Sequence, residues 1–222
     1  VDNVLFQRRC AQARPQREAL RAELGLAPGR PVILFAGKLI NVKAPQELLA
    51  ALTLARKNLR QDAAAPYLLF AGDGPLRGTL EAAARPLGDA VRFLGFRNQS
   101  ELPALYDLCD LFVLPSRFEP WGLVVNEAMN AARPIVVTDR VGAAADLVAD
   151  GENGFVYPSG DVAALAVALT RLIKSANLRN EMGAASLARI NKWNFAADRN
   201  GLLAALATVT QRHHDAEKAF GA

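Results

Sequence analysis

The stretch Leu111-Phe-Val-Leu-Pro-Ser-Arg-Phe-Glu119-Pro-Trp-Gly122-Leu-Val-Val-Asn-Glu127-Ala-Met129 decides the fold. Leu111–Leu114 is a short, wholly apolar block, the pattern of a parallel strand buried on both faces. Pro120 and Gly122 turn the chain into an amphipathic helix over 122–132. One carboxylate, Glu119, stands just before that helix and a second, Glu127, about one turn inside it. Strand, tight turn and helix opening make an anion site, because the first N–H groups are unpaired and the helix dipole favours negative charge. Two carboxylates beside such a site suit hydroxyl groups, so the ligand expected is a phosphorylated sugar.

The unit repeats on either side. Apolar blocks at 31–36, 67–71, 91–94, 134–138 and 153–157 read as further strands. Helical patterns at 15–24, 47–59, 76–85, 101–108, 161–174, 178–191 and 196–212 separate or follow them, with Ser100 as the expected cap of the 101–108 helix. Six strands with right-handed crossovers give an α/β fold: a Rossmann-like three-layer α/β/α domain with a parallel six-stranded sheet. Its ligand rim is the set of loops following the strands. Residues 1–28 read as a linker strap and helix, 29–176 as the Rossmann-like domain, and 177–222 as C-terminal helices outside it.

With 222 residues, 51% apolar and 22% charged, the chain is long enough for a substantial core. The net charge is +4, and Arg8, Arg9, Arg14, Arg17 and Arg21 cluster near the start. No aromatic residues interleave with that cluster, so it reads as a solvated helix face, and nucleic acid is not the expected partner. Cys10 and Cys109, and the adjacent His213 and His214, have no metal-ligand spacing, so no metal is expected. No apolar run reaches the roughly 18 residues of a membrane span, and a reduced, cytoplasmic setting fits. The opening Val-Asp-Asn, without Met, suggests an excised fragment.

Gly72-Asp-Gly-Pro-Leu-Arg-Gly78 follows a strand and precedes a helix, but its spacing is G-x-G-x-x-x-G. The acidic residue expected roughly 20 positions later in a dinucleotide site is missing, and a glycine turn is the better reading. Lys38 and Lys43 share the loop after the first strand, placed to neutralise a diphosphate. Glu119 and Glu127 admit solvated charges, a glycosidase pair, or ligand holders. From a helix opening near Gly122, Glu127 lies about 7 Å along the axis. That is comparable to a phosphate-to-ribose distance and favours the third reading; a helix opening between the carboxylates also disfavours a cationic transition state.

In these residues the chain resembles the C-terminal, nucleotide-sugar-binding domain of the retaining glycosyltransferases of GT-B fold, family 4, the glycosyl transferases group 1. The resemblance runs from 1–6 to about Leu172. It is carried by Phe-Ala-Gly-Lys-Leu…Lys (35–43), Phe-Ala-Gly-Asp-Gly-Pro (70–75), Val-Arg-Phe-Leu-Gly (91–95), the run 106–116, Glu119-x7-Glu127, Ala-Arg-Pro-Ile-Val-Val-Thr-Asp (132–139) and 150–158. It implies that Lys38 and Lys43 grip the diphosphate, Glu119 contacts the donor sugar, and backbone N–H groups of Trp121, Gly122, Leu123 and Val124 hold sugar and phosphate. Glu127 would take the ribose hydroxyls, and Arg92, Phe93 and Leu94 would border the base.

The implied reaction is metal-independent transfer, with retention, from a UDP- or GDP-hexose, which is substrate and not cofactor. Pro120-Trp121-Gly122 departs from the family's usual Gly-Phe-Gly, and Val141-Gly142 from its Gly-Gly. The resemblance also implies a missing N-terminal acceptor-binding domain, toward which the last helices would cross, and it leaves open an enzyme peripheral to an inner membrane face. The fragment alone is expected to catalyse little. The alternatives are a nucleotide-sugar epimerase or hydrolase on the same scaffold, and a non-catalytic nucleotide-sugar module.

Overall fold

A computed structural model describes residues 1–59 and 65–220, with side chains described to residue 210. His213 and His214 therefore lie outside the described side chains. The six strands form one parallel sheet: β1 (Val32–Ala36), β2 (Tyr67–Ala71), β3 (Val91–Gly95), β4 (Leu111–Leu114), β5 (Ile135–Thr138) and β6 (Gly154–Tyr157). Their spatial order is β3-β2-β1-β4-β5-β6, so the direction of winding reverses between β1 and β4. In such a sheet the crevice above that reversal, at the carboxyl ends of the strands, takes the ligand.

Alternate residues of β1 feed two apolar layers. Val32, Leu34 and Ala36 join one core with α5 (Leu102–Leu108), α6 (Leu123–Asn130) and α7 (Gly142–Leu147). Ile33 and Phe35 join the other, under α3 (Pro45–Lys57), α4 (Arg77–Ala84) and α8 (Val162–Lys174). Burial on both faces explains why the strands read as unbroken apolar blocks.

Three expectations about organisation change. The linker strap is a helix, α1 (Asn3–Ala13), followed by a 3-10 turn and α2 (Arg17–Glu23). Phe6 and Cys10 of α1 are core residues, so 1–28 is not a separate strap. At the other end α9 (Ala176–Ile190) belongs to the domain as well. A Cβ on Gly183 would lie 2.3 Å from the Ala132 carbonyl, and the buried Ser186 hydroxyl donates to the Asn153 carbonyl at 3.1 Å. Only α10 (Phe195–Phe220) stands apart, and all its described side chains are exposed. Ser100 does not cap α5, whose N-cap is Glu101 without a side-chain bond; Asn98 Oδ1 instead closes the preceding turn, accepting the Ser100 and Glu101 N–H groups at 2.9 and 3.2 Å.

Arg8 and Arg9 of the basic cluster are exposed, as expected of a solvated face, whereas Arg14, Arg17 and Arg21 serve structure. Arg14 and Arg17 reach the buried carboxylate of Asp107 at 3.2 and 3.3 Å, and Arg133 lies 3.9 Å away. Arg21 donates to the Ala27 and Arg30 carbonyls. Among the described residues no helix is long and apolar enough to cross a membrane.

Candidate functional site

The loops that follow β1, β2, β4 and β5 meet above the reversal point. After β4, Pro115 and Ser116 are buried and the chain runs beside the segment that follows β5. The Glu119 N–H donates to the Arg140 carbonyl at 3.1 Å, and the N–H groups of Gly142 and Ala143 donate to the Glu119 and Trp121 carbonyls, both at 2.9 Å. The approach is too close for a side chain at 142, where a Cβ would fall 2.1 Å from the Pro120 carbonyl. This explains the glycine kept in Val141-Gly142.

Gly122 caps α6 at φ +96°, a left-handed conformation that favours glycine. Among the described residues the N–H groups of Trp121, Gly122, Leu123 and Val124 have no hydrogen-bond partner. Four consecutive open donors at the positive end of a helix form an anion cradle. The expected helix opening is therefore present, with α6 beginning at Leu123.

The lysines separate into two positions. Lys38 is exposed and lines a cavity of about 470 Å3 with Gly37, Gly72, Gly74 and Val124. Lys43 sits at the end of a short 3-10 turn before Ala44, which is left-handed (φ +47°), and Pro45, the first residue of α3. Its ammonium pairs with the Glu119 carboxylate, both partly buried. Next to this pair the Arg117 N–H donates to the Val42 carbonyl at 2.8 Å, and its guanidinium reaches Glu47 at 2.7 Å. The loops after β1 and β4 are thus fastened together.

Glu127 faces a smaller cavity of about 240 Å3, walled by Leu5, Phe6 and Arg9 of α1, Gln99 and Leu123. Its carboxylate accepts from the Tyr106 hydroxyl at 2.9 Å, and burial pushes its pKa up. Burial likewise carries the Tyr106 hydroxyl well above the usual tyrosine range.

The glycine run after β2 is a packing device. A Cβ on Gly72 would meet the Gly37 carbonyl oxygen at 1.9 Å, and one on Gly74 the Leu39 carbonyl oxygen at 2.6 Å. Gly37 N–H donates to Ala71 and Leu39 N–H to Asp73, both at 2.9 Å, so the β1 and β2 loops are zipped together.

The residues expected at the base are placed elsewhere. Arg92 donates to the Leu24 and Asp89 carbonyls and lies over Tyr67, the first residue of β2, so it is turned away from the rim. Phe93 stacks on Phe70 at 5.1 Å, and Leu94 packs against the core. The strand runs one residue further than expected, to Gly95, and it is Phe96 and Arg97 that line the larger cavity. Tyr106 entered the sequence reading only as the start of the run 106–116, and its hydrogen bond to Glu127, 21 positions away, left no local signal. Among the described residues no three His, Cys, Asp or Glu side chains converge as a metal-binding group.

The profile of the glycosyl transferases group 1 matches residues 16–189, more than half of the chain. The chain belongs to this family. It is 31% identical over 214 residues to a D-inositol 3-phosphate glycosyltransferase of Nocardia farcinica, covering 93% of this chain and 47% of the relative. It is 35% identical over 175 residues to an alpha-D-kanosaminyltransferase of Streptomyces kanamyceticus, covering 78% and 44%. Among solved structures, Anabaena HepE in complex with UDP superposes with a TM-score of 0.73 at 26% identity, over 87% of this chain and 53% of that one. The chain thus spans about half the length of the curated relatives it matches, and the group 1 fold here is the C-terminal GT-B domain.

Proposed function

We propose that this chain is the donor-binding domain of a retaining, metal-independent glycosyltransferase that uses a nucleotide-diphosphate hexose, with UDP favoured over GDP. The observation that carries the reading is the row of open N–H groups at Trp121–Val124, with Lys38 lining the same cavity as Val124 and the Lys43–Glu119 pair beside Gly122. A diphosphate laid on that row meets the helix dipole and competes with Glu119 for Lys43. The carboxylate so released is free to accept from sugar hydroxyls. As the glycosidic bond breaks, the charge growing on the leaving diphosphate faces fixed N–H donors and two ammonium groups, which supplies the electrostatic stabilisation of the transition state. Ribose hydroxyls donate to Glu127, and the base enters the cavity bordered by Phe96 and Arg97. The preference for UDP rests on relatedness to HepE, which was crystallised with that nucleotide.

The acceptor side would come from an N-terminal domain of the full-length enzyme. Large apolar side chains on the rim support an open half-cleft: Phe96, Phe118 and Leu123 are 79%, 64% and 58% exposed.

Calorimetric titration of the folded chain with UDP-, GDP- and ADP-sugars tests the proposal. UDP-sugar should bind, and Lys43→Ala should weaken it about ten- to a hundredfold, the range for losing a hydrogen bond to a charged group. Absence of binding by every nucleotide sugar would sink the reading.

A further inference from the structure

The chain holds two tryptophans, 72 positions apart in sequence (193 − 121 = 72), and the fold brings them together. The ring centroids of Trp121 and Trp193 are 6.2 Å apart with planes tilted by 46°. Trp121 lies in the turn that opens α6. Trp193 lies just after α9, on the segment that leads into α10.

Hydrogen bonds close a ring around this contact. The Trp121 indole N–H donates to Asn126 Oδ1 at 2.9 Å. One turn along α6, the Asn130 amide donates to the Asn126 carbonyl at 2.9 Å and to Asn3 Oδ1 at 2.8 Å. The Asn3 amide donates in turn to the carbonyls of Ile190, at 2.9 Å, and Trp193, at 2.8 Å. Gln7, one turn along α1 from Asn3, donates to Asn130 Oδ1 and Asn191 Oδ1, both at 2.8 Å. Asn3, Asn126 and Asn130 are buried, so each unmade bond would carry a desolvation cost.

The ring holds the Trp121 indole from two sides: its N–H by Asn126 and its ring by Trp193. A side chain locked in this way locks its own backbone, and the Trp121 N–H is one of the open donors of the anion cradle.

We propose that Trp193 is a positioning residue for donor binding: through the indole contact it holds Trp121, and with it the opening of α6, in the conformation that receives the diphosphate and sugar. This rests on the donor-site reading above. The arrangement also gives the α10 segment a mechanical link to the donor site.

The test is a double-mutant cycle read by calorimetric affinity for UDP-sugar, with near-UV circular dichroism as a second signal. Coupled indoles give a near-UV signal that Trp193→Phe and Trp121→Phe should each abolish. Trp193→Ala should weaken UDP-sugar about three- to tenfold, the scale of one aromatic pair, and Trp193→Phe should recover most of that loss. In a Trp121→Ala background, Trp193→Ala should add nothing, because its partner is gone. Unchanged affinity in Trp193→Ala, or an equal loss in both backgrounds, would overturn the proposal, since a merely structural residue acts regardless of Trp121. A wild-type chain that binds no nucleotide sugar would instead overturn the donor-site reading, and the positioning role with it.

Discussion

The Glu127 carboxyl takes one hydrogen bond, from Tyr106, and burial raises its pKa from the usual 4.5 against the downward pull of that hydroxyl. A carboxyl whose pKa is raised on folding binds its proton more tightly in the folded state. Its contribution to stability is therefore full below about 4.5, declines as pH rises through the folded pKa, and is unfavourable once the group is ionised. Glu127→Gln should accordingly raise the thermal midpoint at neutral pH, with the gain closing as pH falls toward 4.5. The same variant should bind UDP less tightly, because a neutral amide accepts more weakly from ribose hydroxyls. Calorimetry across pH, paired with titration of UDP, checks both signs; a variant less stable than the parent at neutral pH would contradict the burial argument. Tyr106→Phe removes the hydroxyl whose hydrogen bond favours the ionised form. The Glu127 titration, followed by carboxyl-carbon NMR, should move further up.

At the scale of elements, the run 72–78 separates two uses of glycine. In a dinucleotide fingerprint the last glycine is required for close packing of helix on strand. Here the need is reversed: a Cβ on Gly78 meets nothing within 4 Å, whereas one on Gly72 strikes the Gly37 carbonyl at 1.9 Å. Gly78→Ala, in the first turn of α4, should stabilise by about 0.4–1 kcal/mol through the unfolded chain. Gly72→Ala should destabilise by about 1–3 kcal/mol through overpacking and should disturb the wall that carries Lys38. Urea unfolding midpoints of the two variants give the comparison, and the opposite order would restore the fingerprint reading.

The same elements show what was legible in the sequence. The strands were, because burial on both faces leaves an unbroken apolar block such as Val32–Ala36. The opening of α6 was, because Gly122 and the flanking carboxylates carry its chemistry locally. Helix α1 was not: its inward face is Asn3, Phe6 and Cys10, and part of its packing is amide-to-amide, which hydrophobic periodicity does not record. Arg92, Phe93 and Leu94 lie inside β3, which runs to Gly95, so their side chains are committed to the sheet faces, and the residues that line the larger cavity are Phe96 and Arg97 beyond the strand end.

At the scale of the whole molecule, α10 is at odds with the rest. The family match ends at residue 189, and α10 begins at Phe195. Phe195, Leu202, Leu203, Leu206 and Val209 are between 53% and 67% exposed. Positions 195, 202, 206 and 209 follow the helical spacing of an apolar stripe that a helix normally buries. A face of this kind contributes no burial to the domain it hangs from, yet it offers apolar surface to whatever can cover it. Ending the chain after Asn194 should therefore leave the thermal midpoint nearly unchanged and keep the Trp121–Trp193 contact. It should also lower the binding of an apolar dye and any concentration-dependent association seen in sedimentation velocity. Replacing Leu202 and Leu206 by Glu in the full 222-residue chain should do the same without shortening it. A fall in the midpoint of more than about 4 °C, roughly 1–2 kcal/mol for a domain of this size, would mean that α10 packs on the domain in solution.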